Sequence, residues 1–166
     1  AELRRRAGSD VPVSINLSRH DFMITSITDY IINTVKENDV DVKNIHIEVT
    51  ESALEKDTEE LKFKLNELKK AGFEIWLDDF GSGYSSLNSL QDFNFDVIKI
   101  DMKFMKTLDS NPQTKIIVDS IVDMLKSLRL KSLMEGVETE EQYNFLKHIG
   151  VNMAQGFLFS RPIPIE

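Results

Sequence analysis

Short apolar segments alternate with amphipathic ones along this chain, and this alternation narrows the possible folds more than any other feature of the sequence. The short segments are rich in β-branched residues, which is typical of strands. They cover residues 11–17, 45–50, 73–79, 96–101, 131–135 and 151–157. Strands that alternate with helices form a parallel sheet with right-handed crossovers. The sequence therefore predicts an α/β fold with about six parallel strands and flanking helices.

The segments between these strands have helical periodicity, because apolar residues recur at intervals of three or four positions. The predicted helices cover residues 21–36, 57–71, 85–93, 112–128 and 139–149. Thr139 and Gln142 form the pattern of a capping box, and Gly150 ends the last helix. Residues 1–8 contain basic side chains followed by a glycine, which is typical of the last turn of a helix. We therefore expect that the chain begins inside an element of a longer protein.

Charge and composition exclude several classes of protein. The net charge of −8 argues against the basic surface of a nucleic-acid-binding protein, so we expect neither a DNA nor an RNA partner. The chain has no cysteine, which excludes disulfides and fits a reducing, cytoplasmic location. We also expect no membrane contact by this segment, because no apolar run reaches the length of a membrane span. Membrane anchoring of the full-length protein through other segments stays open.

Every predicted strand carries a polar or charged group near its carboxyl end. In order along the chain, these groups are Asn16, Glu48, the pair Asp78 and Asp79, Lys99 with Asp101, Glu135 and Gln155. The carboxyl ends of parallel strands meet at one edge of a sheet, where such folds bind their ligands. Two adjacent aspartates repel each other unless a cation lies nearby. The oxygen-rich set favours Mg²⁺, Mn²⁺ or Ca²⁺, and a two-ion site suits attack at phosphorus.

Several of these residues also have a structural interpretation. An aspartate before a helix is a common N-cap, which is an alternative to a metal ligand. Glu48 facing solvent on an edge strand is a second alternative, and Glu135 as a surface turn residue is a third. Lys99 lies between two isoleucines, so a structural ion pair with Asp79 or Asp101 is an alternative to a catalytic task. The loop at 81–86 matches a dinucleotide-binding fingerprint only weakly, since it lacks the third glycine.

Six segments of the chain match a known family in order and in spacing. They read "VSINLS" at 13–18, "IEVTES" at 47–52, "LDDFGSGYSSL" at 77–87, "DVIKID" at 96–101, "MEGVETEEQ" at 134–142 and "AQGFLFSRPIP" at 154–164. On these segments the chain resembles the bacterial EAL domain, the cyclic-di-GMP phosphodiesterase module, over essentially all of its length. The resemblance implies a (β/α)8 TIM-like barrel. It also implies hydrolysis of cyclic di-GMP to linear pGpG by in-line attack of water, with two Mg²⁺ or Mn²⁺ ions.

The resemblance also implies roles for particular residues. The implied metal ligands are Asn16, Glu48, Asp78, Asp79 and Glu135. Lys99 matches the lysine that holds and helps to activate the attacking water, Glu138 matches a further catalytic position and Gln155 matches a substrate-binding one. Glu51 matches the residue that anchors the loop at 80–86, which couples metal binding to dimerisation in the family. We therefore expect as partners cyclic di-GMP, a second copy of the chain, and attached sensory or GGDEF domains in bacterial signalling and biofilm control.

One departure from the family pattern is large. The Glu-Ala-Leu motif that names the family is absent, and "ESAL" at 51–54 belongs to a different segment. We therefore interpret residues 1–166 as the C-terminal three quarters of one EAL-type barrel, incomplete at about six strands. Because the missing glutamate is a metal ligand in the family, we expect impaired hydrolysis by this chain alone. A non-catalytic cyclic-di-GMP receptor stays open as the alternative. A phosphoacceptor signalling domain fits less well. In that class the acidic pair follows the first strand and the lysine follows the last one, whereas here the pair follows the third strand and Lys99 comes one strand later.

Overall fold

The computed structural model describes residues 12–54, 59–83 and 87–163, in which six parallel strands form one sheet in chain order. The strands are β1 (Val13–Leu17), β2 (Ile45–Thr50), β3 (Glu74–Phe80), β4 (Val97–Ile100), β5 (Lys131–Met134) and β6 (Met153–Ala154). The predicted α/β class and the predicted strands are therefore confirmed. The last strand comprises only two residues, so it is much shorter than the predicted segment at 151–157.

Seven α-helices lie within the same described residues. They are α1 (Arg19–Phe22), α2 (Ile27–Glu37), α3 (Glu59–Lys70), α4 (Leu87–Asp92), α5 (Lys103–Thr107), α6 (Pro112–Ser127) and α7 (Glu140–Ile149). The predicted capping box is confirmed, because the Thr139 hydroxyl accepts from the Gln142 N–H and the Gln142 side chain accepts from the Thr139 N–H. Gly150 ends α7 in the left-handed conformation, with φ of 78°. None of these helices combines the length and the apolar character that a membrane span needs.

Parts of several predictions fall outside the described residues. These parts are the helix end at 1–8, the start of the strand at 11–17, the starts of the helices at 57–71 and 85–93, and the end of the loop at 80–86. Within the described part, α3 and α4 lie where the periodicity places them.

The single helix predicted at 21–36 is wrong, since two helices share this stretch. Ser18 begins α1 through a capping box with Asp21, whose carboxylate accepts from the Ser18 N–H at 2.8 Å. The ammonium group of the buried Lys64 then donates to the Phe22 and Ile24 carbonyl oxygens, at 2.6 and 3.3 Å. The Phe22 carbonyl thus has a side-chain partner where a longer helix would supply a backbone N–H, so α1 ends and α2 starts after a turn.

Sequence periodicity also missed three short elements. They are α5 and the 3-10 helices at Val42–Asn44 and Glu51–Leu54. An element of little more than one turn is too short to display an apolar period, so the sequence pattern holds no signal for it.

The described residues divide into two compact units, one of residues 12–54, 59–76, 87–95 and 163 and one of residues 77–83 and 96–162. In the first unit, β1 and β2 pair in parallel, with Asn16 opposite Glu48 in the register. Helices α2 and α3 pack together within this unit. Trp76, on β3, is only 8% exposed, and its ring stacks on the His46 imidazole with the centroids 4.2 Å apart.

In the second unit, β4, β5 and β6 pair in parallel, with Lys99 opposite Leu133. Helix α6 packs on β5, and its buried residues Val118, Val122 and Leu125 recur at the spacing of one helix face. Strands that pair in parallel end at the same edge, so this unit collects the residues that follow β4, β5 and β6 at one edge of its sheet.

Candidate metal centre

Three strand ends of the second unit bring charged side chains together. The Lys99 ammonium lies 2.8 Å from Asp78 Oδ1 and 3.0 Å from Glu135 Oε1. Asp78 lies near the end of β3, Lys99 lies on β4 and Glu135 directly follows β5. The Glu135 N–H donates to the Ile100 carbonyl at 3.2 Å, which keeps the ends of β4 and β5 side by side. Lys99 therefore forms ion pairs with Asp78 and Glu135, whereas the structural alternative from the sequence named Asp79 or Asp101 as its partner.

Asp79 completes a group of three carboxylates with Asp78 and Glu135. One oxygen of each residue lies within 4.8 Å of the others, which is close enough to share a metal ion. The Asp79 backbone has φ of 57°, in the left-handed region that residues other than glycine rarely adopt. Such strain clusters at functional sites. Carboxylate oxygens are the ligands that hard divalent cations prefer, so these residues fit Mg²⁺, Mn²⁺ or Ca²⁺.

Two of these carboxylates hold protons more tightly than ordinary ones. Burial raises the pKa of Glu135, and the charges of Asp78 and Asp79 raise it further, whereas Lys99 opposes this shift. Asp79 is exposed, but partial desolvation of its carboxylate raises its pKa, and the charges of Asp78 and Asp101 add to this effect. A cation among these groups would relieve the repulsion, so the electrostatics of the cluster favour binding of positive charge.

Metal-free protein is expected to lose stability as the pH rises through the raised pKa of Glu135. The folded protein binds this proton more tightly than the unfolded chain does, so the stabilising contribution is present at low pH and is lost once Glu135 ionises. Chemical denaturation in EDTA between about pH 5 and 7.5 measures the free energy of unfolding. This energy should depend less on pH in Glu135→Gln than in the wild type.

The exposed Glu37→Gln substitution is the control for this experiment, and it should keep the pH dependence of the wild type. A pH profile of Glu135→Gln that runs parallel to that of the wild type would contradict the expectation, because the difference between the two profiles isolates this carboxyl group.

The segment 135–138, after β5, packs tightly on the end of β6. The Val137 N–H donates to the Gln155 carbonyl at 3.0 Å. A Cβ atom on Gly156 would lie 2.2 Å from the Val137 carbonyl oxygen and 2.3 Å from its nitrogen. Non-bonded atoms do not approach so closely, so only glycine fits at position 156 without movement of the backbone. Because the segment begins at Glu135, this packing helps to place the Glu135 carboxylate.

Gly156→Ala is therefore expected to destabilise the protein. The added methyl group meets backbone atoms, which cannot rotate away, so the free energy of unfolding should fall by about 1–3 kcal/mol. Chemical denaturation measures this loss. Gly83→Ala is the matched control, because nothing lies within 4 Å of a Cβ atom at that position. Equal stabilities of the two variants would show that the contact at Gly156 relaxes without cost.

The first unit carries the other predicted metal ligands. Asn16 and Glu48 lie opposite each other in the register, near the carboxyl ends of β1 and β2. Asn16 is exposed, whereas Glu48 is only 7% exposed. The alternative in which Glu48 faces solvent is therefore wrong. Glu51 lies in the 3-10 helix after β2 and is 8% exposed.

Glu138 and Gln155 are exposed residues of the second unit. Gln155 directly follows β6, and its N–H donates to the Met134 carbonyl at the end of β5, at 2.9 Å. Glu138 precedes α7, and its N–H donates to Gln142 Oε1 at 2.9 Å. Sequence reasoning treated Gln142 only as part of a capping box and missed its further contacts. A glutamine at this position signals a helix start, and the sequence pattern contains nothing that indicates more.

Comparisons with known proteins identify the relatives of this chain. The sequence model of the EAL domain family matches residues 1–162. The chain is 37% identical over 158 residues to the bifunctional diguanylate cyclase/cyclic di-GMP phosphodiesterase MucR of Pseudomonas aeruginosa, which covers 95% of this chain and 23% of MucR. It spans about a quarter of the length of the curated relatives that it matches.

Solved structures agree with this assignment. The PaMucR phosphodiesterase in complex with c-di-GMP matches with a TM-score of 0.88 and 35% identity, covering 98% of this chain and 68% of that one. A manganese/cy-diGMP complex of Klebsiella pneumoniae BlrP1 matches with a TM-score of 0.87 and 30% identity, covering 96% of this chain and 41% of that one. The likeness therefore extends to proteins solved with a cyclic dinucleotide and a divalent metal.

Proposed function

Because this chain belongs to the EAL domain family, we propose that it is a phosphodiesterase domain that hydrolyses cyclic di-GMP to linear pGpG. The observation that carries the proposal is the cluster of Asp78, Asp79 and Glu135 around Lys99. Three carboxylates and one ammonium group lie together at the carboxyl ends of the strands. The name of the relative MucR and the c-di-GMP complex of its phosphodiesterase support the same substrate here.

We propose two Mg²⁺ or Mn²⁺ ions as cofactors. Their ligands are Asn16, Glu48, Asp78, Asp79 and Glu135, a set that consists entirely of the hard oxygen donors that these ions select. The ions, when bound, would neutralise phosphate charge and lower the pKa of a water molecule. The raised pKa values of Asp79 and Glu135 support this assignment, since both carboxylates gain from a nearby cation.

Lys99 acts on the attacking water in this proposal. Its ammonium group is fixed between Asp78 and Glu135, and it donates a hydrogen bond to the water that these carboxylates help to orient. The water oxygen forms a new bond to phosphorus as one ester P–O bond breaks, and the proton that the water loses is balanced by the proton that the leaving ribose oxygen takes up. Glu138 serves as a further catalytic group and Gln155 binds substrate. Glu51 takes the role of the loop anchor that the family resemblance assigns to it.

The partners are proposed on the same basis. We propose a homodimer, which the exposed Ile116 and Ile117 side chains of α6 support, since they are 67% and 47% exposed. We also propose a role in bacterial signalling beside sensory or GGDEF domains, because the relative MucR is a bifunctional cyclase and phosphodiesterase. The absence of cysteine supports a reducing, cytoplasmic setting.

Product analysis tests the proposal directly. The chain is incubated with cyclic di-GMP and Mn²⁺ or Mg²⁺, and pGpG is quantified by chromatography, while calorimetry in Ca²⁺ measures binding of the dinucleotide. We expect release of pGpG at a turnover below that of an intact EAL domain, and this result would support the phosphodiesterase function. Binding without any cleavage would favour the receptor alternative, and the absence of both would overturn the proposal.

A further inference from the structure

The side chain of Gln142, in the first turn of α7, is buried and uses both ends of its amide. Only 6% of the residue is exposed. Its Oε1 accepts from the Glu138 N–H at 2.9 Å and from the Thr139 N–H at 3.4 Å. Its Nε2 donates to the Met105 carbonyl at 3.2 Å and to Asp109 Oδ2 at 3.3 Å. One neutral amide therefore joins the segment before α7 to the end of α5.

Helix capping accounts for only one of these four contacts, the one from the Thr139 N–H. A capping box needs an acceptor for the N-cap N–H, which glutamate supplies as well as glutamine. Glutamate at position 142 has no proton to donate to the Met105 carbonyl, and it would place a second carboxylate beside Asp109. The amide of Gln142 is therefore specified by its contacts with the end of α5.

The two parts of the chain that Gln142 joins both follow strands that lead to the proposed centre. The connection from β4 to α5 follows Lys99, and the connection from β5 to α7 contains Glu138. The two connections touch at Gly136, where an added Cβ atom would lie 2.6 Å from the Met102 Cβ. The contact at Gly136 lies at the start of α5 and the hydrogen bonds of Gln142 lie at its end, so two separate contacts hold α5 against the residues around the start of α7.

Glu138 depends on this side chain more than its neighbours do. Backbone hydrogen bonds hold Glu135 and Val137, whose N–H groups donate at 3.2 and 3.0 Å to carbonyls at the ends of neighbouring strands. The Glu138 N–H instead donates to the Gln142 side chain. Loss of the side-chain oxygen at position 142 therefore releases Glu138 and leaves the backbone contacts of Glu135 in place.

We propose that Gln142 is a positioning residue for the hydrolysis, which holds Glu138 in a fixed orientation relative to Lys99. The proposal rests on the phosphodiesterase function proposed above. Because Gln142 acts through Glu138, its loss should lower kcat by about 10–100-fold, which is the effect of misplacing a reacting group by about 1 Å. KM and the affinity for Mn²⁺ should stay within about threefold of the wild type, since the metal ligands keep their own supports.

Three variants separate positioning from capping. Gln142→Ala removes both sets of contacts, whereas Gln142→Glu keeps the acceptor for Glu138 and loses the donor. Combining Gln142→Glu with Asp109→Asn restores a donor and an acceptor between the two side chains. We expect kcat to fall in both single variants and to recover in the double variant. Gln113→Ala, at an exposed position in the first turn of α6, is the matched control and should keep the wild-type kcat.

Amide hydrogen exchange gives a readout that needs no turnover. The Glu138 N–H should exchange slowly in the wild type, at least about tenfold faster in Gln142→Ala, and slowly again in Gln142→Glu. If Gln142→Ala does not fold, Asp109→Ala removes only one acceptor of Nε2 and should lower kcat to a smaller extent.

The outcomes distinguish the proposal from the function on which it rests. A folded Gln142→Ala protein with unchanged kcat, or with a Glu138 N–H that stays protected, would overturn the positioning role. If kcat falls in Gln142→Glu and does not recover at all when Asp109→Asn is added, the positioning role would also be overturned. Slow exchange at Glu138 in a wild-type protein that cleaves no cyclic di-GMP would overturn the proposed function, while the contacts of Gln142 with Glu138 and with the end of α5 would stand.

Discussion

Lys99→Met is expected to abolish cleavage of cyclic di-GMP while divalent-metal binding persists. Methionine keeps an apolar stem of similar length in a position that is only 6% exposed, but it cannot donate a hydrogen bond to water. A positioned proton-transfer or hydrogen-bonding group contributes about 10²–10⁴-fold to catalysis, so turnover should fall by that factor. The measurement is the initial rate of pGpG formation in Mn²⁺.

The same substitution should change metal binding and stability in opposite senses. In the metal-free protein, Lys99 holds Asp78 Oδ1 and Glu135 Oε1, and both residues are proposed metal ligands. Without Lys99 these carboxylates repel each other, and because they are partly solvated the free energy of unfolding should fall by about 1–3 kcal/mol. In this variant Mn²⁺ no longer competes with an ammonium group for the two carboxylates. The Kd for Mn²⁺, measured by calorimetry, should therefore be no higher than in the wild type.

Lys106→Met is the matched control for both measurements, because Lys106 is an exposed lysine of α5. It should leave turnover, stability and metal affinity unchanged. A Lys99→Met protein that cleaves at the wild-type rate would remove Lys99 from the catalytic mechanism. One that loses Mn²⁺ binding together with activity would make Lys99 a support for the metal ligands instead.

Asp79→Asn is expected to stabilise the metal-free protein while it eliminates hydrolysis. Burial and the charges of Asp78 and Asp101 raise the pKa of Asp79, so its ionised form is costly in the folded state at neutral pH. A neutral amide removes this cost, and asparagine tolerates the left-handed φ of 57° at least as well as aspartate. Because Asp79 is exposed, the gain is small, and the melting temperature in EDTA should rise by about 1–3 °C.

Metal binding should change in the opposite direction in this variant. An amide oxygen is a much poorer ligand than a carboxylate, and metal ions supply several kcal/mol of transition-state stabilisation, so turnover should fall about 10³-fold or more. The stabilisation that Mn²⁺ gives to the wild type in thermal unfolding should shrink or vanish.

The control for Asp79→Asn is Asp119→Asn, at an exposed position of α6, which should alter neither property. A lower melting temperature of metal-free Asp79→Asn would contradict the proposed repulsion. Retention of both turnover and the Mn²⁺ effect would remove Asp79 from the set of metal ligands.

Much of the sheet could be predicted from the sequence because each strand is a short run of β-branched residues between polar segments. The bounds of β2 agree residue for residue with the prediction at 45–50. The helix predicted at 21–36 failed for a tertiary reason, since Lys64 reaches back 42 positions along the chain to the Phe22 carbonyl. Periodicity reports on local faces and carries no information about such a contact.

The candidate centre was predictable to a similar degree. Polar residues at strand ends indicated that Asp78, Asp79, Lys99 and Glu135 would meet, because parallel strands end at one edge. The carboxylate oxygens that Lys99 contacts depend on register and on side-chain rotamers, which the sequence pattern does not contain. The second set of contacts of Gln142 was hidden for the same reason, since its capping role already accounts for a glutamine at that position.

The stacking of Trp76 on His46 gives this chain a built-in optical reporter. Trp76 is the single tryptophan of the sequence, and its indole is almost fully shielded from water. A shielded indole emits at shorter wavelengths than a hydrated one, so intrinsic fluorescence follows unfolding without any added label. Because β3 carries both Trp76 and the Asp78–Asp79 pair, the same signal comes from the strand that delivers the acidic residues to the metal centre.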